Sequence, residues 1–461
     1  MDYRLERDLI GEKRVPKDAY YGIHSLRAYE NFRITGLKIN GELIKAVCEV
    51  KKAAAISNKE AGVLDGHIAN AIIQACDEII GGRLHDQFMI DPIQGGAGTS
   101  INMNANEVIA NRAIEILGGE KGDYSIVHPI DHVNKSQSTN DVIPSAGKIA
   151  TIRLLGRAIG TLKRLNTALM DKAIEFDEVI KMGRTQMQDA IPIRLGQEFK
   201  AYSYAIERDI ERLTRVKDRL KNLNLGGTAI GTSLNANKYY IKTVVVNLSR
   251  ITGLDLKQAD DLIDATQNLD VFVEVSSTLK ACAVNLSKIS NDLRLMSSGP
   301  RTGFGEINLP PKQSGSSIMP GKVNPVIPEV MNQIAFNIMG NDLTITMAAE
   351  AGQLELNAFS PIIFYKLFES IESLSNGVET FVENCIKGIT ANKARCKELV
   401  NNSIGIITSI CPYVGYKNAS VIANKALKTG GTVKEIILKE KIMDESKLEE
   451  ILDPVSMTEI V

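Results

Sequence analysis

Between residues 196 and 223 the apolar residues Phe199, Tyr202, Ile206, Ile210, Leu213, Val216 and Leu220 recur at steps of three or four. The charged residues Glu207, Arg208, Glu211, Arg212, Arg215 and Lys217 fill the other face. This is the period of a helix with one side turned to a core. The same period runs through about 146–180, 236–252, 264–296, 326–350 and 361–388, with shorter helical stretches between 40 and 80 and over Asn102–Leu117. Helices of this length joined by short connections predict a mainly α fold with a long central bundle. Two segments, ATIRLLGRAIG at 150–160 and QIAFNIMG at 333–340, carry apolar residues around more than one face. A bundle helix with two apolar faces needs neighbours on both sides, so oligomeric packing is expected.

The 461 residues exceed what one core holds, and three domains are expected. These are an N-terminal domain over residues 1–139, a central long-helix bundle over 140–394 and a small helical domain over 395–461, with residues 1–36 read as loop or short irregular structure. Aromatic residues are only 5% and Trp is absent, so Leu, Ile, Val and Ala must build the core. The 54 basic residues against 55 acidic ones argue against a nucleic-acid footprint. Six cysteines without CxxC spacing read as buried, reduced thiols of a cytoplasmic protein. No apolar run approaches the roughly 18 residues needed to cross a bilayer, and the first residues are charged, without a secretory h-region.

Four polar clusters interrupt the apolar helices at loop or cap positions: Thr99 with Ser100; Ser138, Thr139 and Asn140; Arg184, Thr185 and Gln186; and Ser316, Ser317, Lys322 and Asn324. A single cluster of this kind reads as a helix cap. Four of them, neutral donors with two cations, suggest a pocket for a small dicarboxylate. Neither GxGxxG nor a P-loop accompanies Gly95–Gly98, so phosphate cradling has no support. His128 and His132 are four apart, but Pro129 lies between them and HExxH is absent, which favours a structural role over a metal site.

The last cluster lies in Gly315–Pro325, after a breaker-rich segment from Gly299 to Pro311 and before helical sequence beginning at Val326. It reads as a mobile loop closing onto a helix start, with Asn324 as cap and Pro325 in the first turn. Unpaired N–H groups there attract carboxylates, and Lys322 adds a full charge. The plainer reading of the same residues is a surface turn with an exposed lysine.

The loop GSSIMPGKVNP resembles the signature of the aspartase/fumarase superfamily. So do GGAGTSINMNANE at 95–107, HVNKSQSTND at 132–141 and KMGRTQMQDA at 181–190. VPKDAYYGIHSLRAYENF, LGGTAIGTSLN and NSIGIITSI extend the resemblance over nearly the whole chain, and MAAEAGQLELN at 347–357 is similar to the aspartate-deaminating branch. The resemblance implies reversible conversion of L-aspartate to fumarate and ammonia, in a homotetramer whose active sites draw blocks from three subunits. It implies Ser316 as general base, and Thr99, Ser138, Thr139 and Ser317 as donors to the carboxylate beside the reacting carbon. Lys322 and Asn324 would hold the other carboxylate, and Asn140, Thr185 and Gln186 would face the leaving group. No cofactor is required on this reading, and activation by a divalent cation such as Mg stays open.

Proton removal beside a carboxylate creates a dianionic aci-carboxylate, which needs preorganised donors. A serine alkoxide base needs N–H donors and exclusion of water. Members that hydrate fumarate, and some that deaminate aspartate, carry a histidine where this chain has Gln186. Hydroxide benefits from an imidazole acid, whereas an ammonium leaves as neutral ammonia and needs only acceptors to orient it. Gln186 therefore favours ammonia release over hydration, and Glu329, the glutamate that pairs with that histidine, becomes structural. Ile130 replaces an Asn frequent in the HPNDHVN block, which weakens any accessory carboxylate site near His128.

Overall fold

The computed structural model describes residues 2–453 and 456–458; of the tail beyond Ile451, residues 454, 455 and 459–461 lie outside the described residues. The chain divides into two compact units. The first holds Met1–Ile159, Glu211–Ala281 and Phe336–Leu374, and the second Gly160–Ile210, Cys282–Ala335 and Ser375–Val461.

The first unit opens with strands β1 (Tyr3–Arg7) and β2 (Glu12–Pro16), antiparallel, followed by α1 (Ile23–Asn31). This corrects the irregular structure expected over residues 1–36. The hairpin carries almost no apolar alternation because Arg4 holds it instead, donating to the carbonyls of Pro16 at 3.0 Å, Ala19 at 2.7 Å and Tyr21 at 2.8 Å. Then come α2 (Gly41–Glu60), α3 (Gly66–Ile80) and α4 (Thr99–Ile116), whose buried faces form the N-terminal core. Val47, Val50, Ala54, Ile72, Ile79, Val108 and Ile109 are all fully buried.

Helix α5 (Thr139–Glu175) starts in the first unit and ends in the second. In the second unit it is followed by strands β3 (Ile180–Thr185) and β4 (Gln188–Arg194) and by α6 (Leu195–Arg219), which returns the chain to the first. There α7 (Lys238–Thr252) and α8 (Leu262–Gln267) precede α9 (Asp270–Met296). The continuous helix expected over 264–296 is thus broken at Asn268, whose backbone is extended and whose side-chain amide donates to Asp264 Oδ1 at 2.7 Å.

Helices α10 (Val326–Glu350) and α11 (Ser360–Asn384) complete the long elements. In the first unit Phe364 lies edge-on to Phe272 (5.1 Å, 79°) and stacked on Phe368 (5.7 Å, 8°), and Gly147 of α5 sits directly against the Phe364 ring. Each such buried ring contributes roughly 1.5–3 kcal/mol from surface removed from water. On the opposite face of α10, Phe336, Leu343 and Met347 are each more than 60% exposed.

The second unit closes with short helices from Lys393 to Ile451. Val400, Ile410, Ile422, Ile437 and Leu448 bury one another and take in Met182 of β3. No helix among the described residues is long and apolar enough to cross a membrane.

Candidate active site

In the first unit, Gly96, Ala97 and Gly98 all take positive φ (87, 55 and 90°). This turn starts α4 at Thr99, whose hydroxyl donates to Gly96 O at 2.7 Å. A side chain at Gly98 would strike Ile143 of α5 at 2.9 Å, so glycine lets the two helix starts approach. Ser138 caps α5, its hydroxyl accepting from the Asn140 amide at 3.2 Å. Asn102, one turn into α4, donates to Thr139 Oγ1 at 3.2 Å and ties the two N-termini together. Asn140 points its amide at Ala229 O (2.7 Å). Pro144 has no N–H to give back to the Asn140 carbonyl, and Asn224 Nδ2 takes that carbonyl at 2.9 Å.

Two buried charges support this cluster. Asp141 accepts from the amides of Ser138 (2.9 Å), Gly226 (3.0 Å) and Thr228 (3.0 Å), and so pins the 224–228 loop to the start of α5. Burial raises its carboxyl to about 6, against the pull of those three N–H groups. Lys51 of α2 is fully buried; its ammonium donates to Asn134 Oδ1 at 2.8 Å, an oxygen that also accepts from Asn102 and Asn106. Burial lowers Lys51 to about 7, partly countered by Asp141. A cation buried behind two helix N-termini makes this corner of the unit attractive to a carboxylate. Neither charge stood out in the sequence. Asp141 directly follows the Ser138–Asn140 cluster, the one local signal that could have found it, whereas the burial of Lys51 is written only in its neighbours.

In the second unit, Thr185 and Gln186 occupy the tip of the β3–β4 hairpin rather than a helix cap. Gln186 and Met187 form its two-residue turn with φ of 53° and 65°. Such turns favour Asn-Gly, and each left-handed residue other than glycine costs about 1–2 kcal/mol. Both Thr185 and Gln186 are exposed. Strain retained at a polar, exposed tip is a pointer to function.

Ser316 lies in a loop closed on itself. The Gly315 amide donates to Lys322 O at 2.9 Å, and Asn324 Nδ2 donates to Gly315 O at 2.9 Å. The Ser316 hydroxyl oxygen accepts from the amides of Ile318 (3.2 Å) and Met319 (3.1 Å). Ser317 and Lys322 are exposed, and Lys322 has no ion pair among the described residues. The capping expected at Asn324 is corrected: its side chain closes the loop, and Pro325 takes the capping position, its carbonyl receiving the Glu329 amide. The proline of the first turn is Pro328. His128 and His132 accept backbone amides, His128 from Ile130 and Asp131 and His132 from His128. Among the described residues no group of three or more His, Cys, Asp or Glu is placed to hold a metal ion.

The structure thus brings Thr99, Ser138, Thr139 and Asn140 together in one unit. In the other it presents Thr185 and Gln186 on one hairpin tip, and Ser316, Ser317, Lys322 and Asn324 on one loop. A serine oxygen under two amides can be stabilised as an alkoxide, and hydroxyls at helix starts can hold a developing carboxylate dianion. Each group of residues is of a kind that proton abstraction beside a carboxylate would use.

Comparison with known proteins agrees. Residues 11–340 match the family described as Lyase, and residues 406–459 match the one described as Fumarase C C-terminus. The chain belongs to this lyase family. It is 56% identical to an aspartate ammonia-lyase of Bacillus sp, over 99% of this chain and 98% of that one. It is 55% identical to the aspartate ammonia-lyase of Bacillus subtilis (strain 168), over 99% and 96%. A crystal structure of a Brucella melitensis fumarate lyase:delta crystallin bound to cobalt superposes with a TM-score of 0.97 at 49% identity, covering all of both chains. The class II fumarase of Schistosoma mansoni superposes at 0.95 with 32% identity, over 99% of each.

Proposed function

We propose that the chain catalyses the reversible deamination of L-aspartate to fumarate and ammonia. Ser316, as alkoxide, takes a proton from the carbon next to one carboxylate; the C–H electron pair moves into that carboxylate and makes the aci-carboxylate dianion. Ser138, Thr139 and Ser317 donate to its oxygens, as does Thr99 once its hydroxyl turns from Gly96 O, while Lys322 and Asn324 hold the second carboxylate. As the dianion collapses, its electron pair forms the double bond of fumarate and the C–N bond breaks. The ammonium departs as neutral ammonia, oriented by Asn140, Thr185 and Gln186.

The observation that carries the reading is the pair of amides from Ile318 and Met319 on the Ser316 oxygen, which supports a serine base. The near-full-length likeness to aspartate ammonia-lyases supports the substrate. The chemistry is complete without a cofactor; activation by a divalent cation such as Mg is a separate proposal, and no residue is assigned to one.

A homotetramer with sites shared between subunits fits the apolar face of α10, where Phe336, Leu343 and Met347 lie open to solvent. Sharing also fits a hairpin tip whose polar residues face outward. A three-domain subunit (residues 1–139, 140–394 and 395–461) and a cytoplasmic location complete the proposal.

The test is the near-ultraviolet absorbance of fumarate after addition of purified protein to L-aspartate and, separately, to L-malate. Fumarate is expected from aspartate alone; fumarate from malate alone would assign the chain to the hydratases.

A further inference from the structure

We propose that Glu306 is a positioning residue that clamps the root of the Thr185–Gln186 hairpin to the foot of the Ser316 loop. The inference rests on the functional reading above for what the two segments do, and on the second unit alone for the clamp itself.

Glu306 is completely buried and receives two cations from the same strand. Arg184 donates from Nη1 to its Oε1 at 2.8 Å, and Lys181 Nζ lies 3.3 Å from its Oε2. Residues three apart on a regular strand point to opposite faces, so Lys181 and Arg184 should not reach one carboxylate. The hairpin is not regular here: its register shifts between Met182 and Arg184, where Ala190 and Ile191 of β4 stand opposite Gly183 alone. Gly183 stands at that irregularity, where a side chain would lie 2.6 Å from Ile191 O. At this irregular stretch both cations reach Glu306.

Arg184 is further fixed by the Phe304 ring, 4.0 Å from its guanidinium, and its next neighbour in the chain is Thr185. The backbone of Glu306 is held on both sides, its amide by Met296 O and its carbonyl by the Asn392 amide, at 2.9 and 2.8 Å. The chain then pairs Ile307–Asn308 with Thr390–Ala391 before it reaches Ser316. Burying ionised groups costs several kcal/mol per ion before pairing, and apolar residues of similar size pack as well or better. What an ionic cluster supplies instead is a directional fix, and the forked guanidinium supplies it next to the hairpin tip.

The same cluster holds an internal control. Glu198 accepts from Lys181 at 2.9 Å and is also mostly buried, but it makes no contact with Arg184. Glu306→Gln and Glu198→Gln each neutralise one carboxylate of the cluster, and only the first weakens the hold on Arg184.

The experiment measures kcat and KM for L-aspartate, thermal unfolding, and tryptic cleavage after Lys312 and Lys322 in the loop. It compares the intact protein with Glu306→Gln, Glu198→Gln and Arg184→Lys. Glu306→Gln should lower kcat roughly 10–100-fold with KM within about threefold, the size of effect a misplacement near 1 Å produces. It should also speed loop cleavage. Arg184→Lys should lower kcat in the same way, and Glu198→Gln should lose stability while keeping kcat and the cleavage rate.

Wild-type kcat and cleavage in Glu306→Gln, or an equal loss of kcat in Glu198→Gln, overturns the clamp. If Glu306→Gln does not fold, Arg184→Lys decides, and wild-type kcat in it overturns the clamp. A wild-type protein silent on aspartate refutes the functional reading alone, and the cleavage rates still decide the clamp.

Discussion

Replacing Gly147 by alanine should destabilise the protein, although alanine is the better helix former. Gly147 lies inside α5, where Gly→Ala ordinarily gains up to about 1 kcal/mol. Here the new methyl would sit 2.1 Å from Phe364 Cζ and 2.4 Å from Cε1, short of ordinary contact by more than an ångström. The ring cannot step aside. It is buried, with Phe272 at its edge and Phe368 stacked on its face, and both of those are buried too. Overpacking of this kind costs about 1–3 kcal/mol when the core can adjust, and the confined ring places Gly147→Ala at the upper end, for a net loss of about 2 kcal/mol. Gly156, on the same helix, is exposed and has nothing within 4 Å of where a Cβ would lie, so Gly156→Ala should stabilise by about 0.4–1 kcal/mol. The two variants therefore differ in sign, which urea unfolding of both reads directly. Adding Phe364→Leu should make the double variant less unstable than the two single losses combined, because the colliding atoms are gone. Because α5 and α11 would have to move apart about two turns from Thr139, Gly147→Ala should also lower turnover. Equal stabilisation by Gly147→Ala and Gly156→Ala would refute the reasoning.

Further outcomes follow from the site. Ser316→Ala should keep the fold and lose about 10²–10⁴-fold in turnover, the range of a general base, as followed by fumarate absorbance; full turnover would remove Ser316 from the mechanism. Asn324→Ala loses the hydrogen bond to Gly315 that closes the loop, so KM for aspartate should rise while the midpoint of unfolding hardly moves. Thr185→Val keeps the shape of the side chain and removes its hydroxyl, and unchanged turnover in this variant would take the hairpin tip out of the site. For Asp141, burial raises the carboxyl from 3.8 to about 6, so the folded protein holds that proton more tightly than the unfolded chain. Its contribution to stability therefore falls as pH rises from about 4 to 6. Asp141→Asn removes that fall, and its stability relative to the wild type should climb by up to about 3 kcal/mol between pH 4 and 7. Turnover should drop, since an amide oxygen cannot replace a carboxylate that accepts from Ser138, Gly226 and Thr228 together. A relative stability that stays flat over this window contradicts the assignment.

What the sequence made legible was whatever repeats locally. The step of three or four along 196–223 became α6 (Leu195–Arg219), and the polar clusters at 99, 138–140 and 316–324 fell at helix starts or on the loop before one. The period failed where something other than an apolar stripe holds an element. The β1–β2 hairpin depends on one arginine threading backbone carbonyls up to 17 residues away, and its own residues show almost no alternation. The β3–β4 hairpin read as a polar block between helices, because charged Lys181 and Arg184 occupy positions where a strand signal would need apolar ones.

The buried charges near the candidate site residues were hidden for a related reason. Lys51 meets Asn134 across 83 residues, and Arg184 meets Glu306 across 122. A lysine in an amphipathic helix and a glutamate after a glycine-rich turn read locally as solvated surface. Only the fold reveals that each is buried, and burial is what gives them leverage, since a charge removed from water acts strongly on its neighbours. The residues expected to touch substrate carry recognisable types in recognisable blocks, because hydroxyls, amides and a lysine must be presented outward. Those that hold them in place need only the right charge at the right depth. For this chain, positioning residues must therefore be sought among buried ions such as Glu306 and Asp141, where conversion to a neutral isostere leaves the shape and removes the hold.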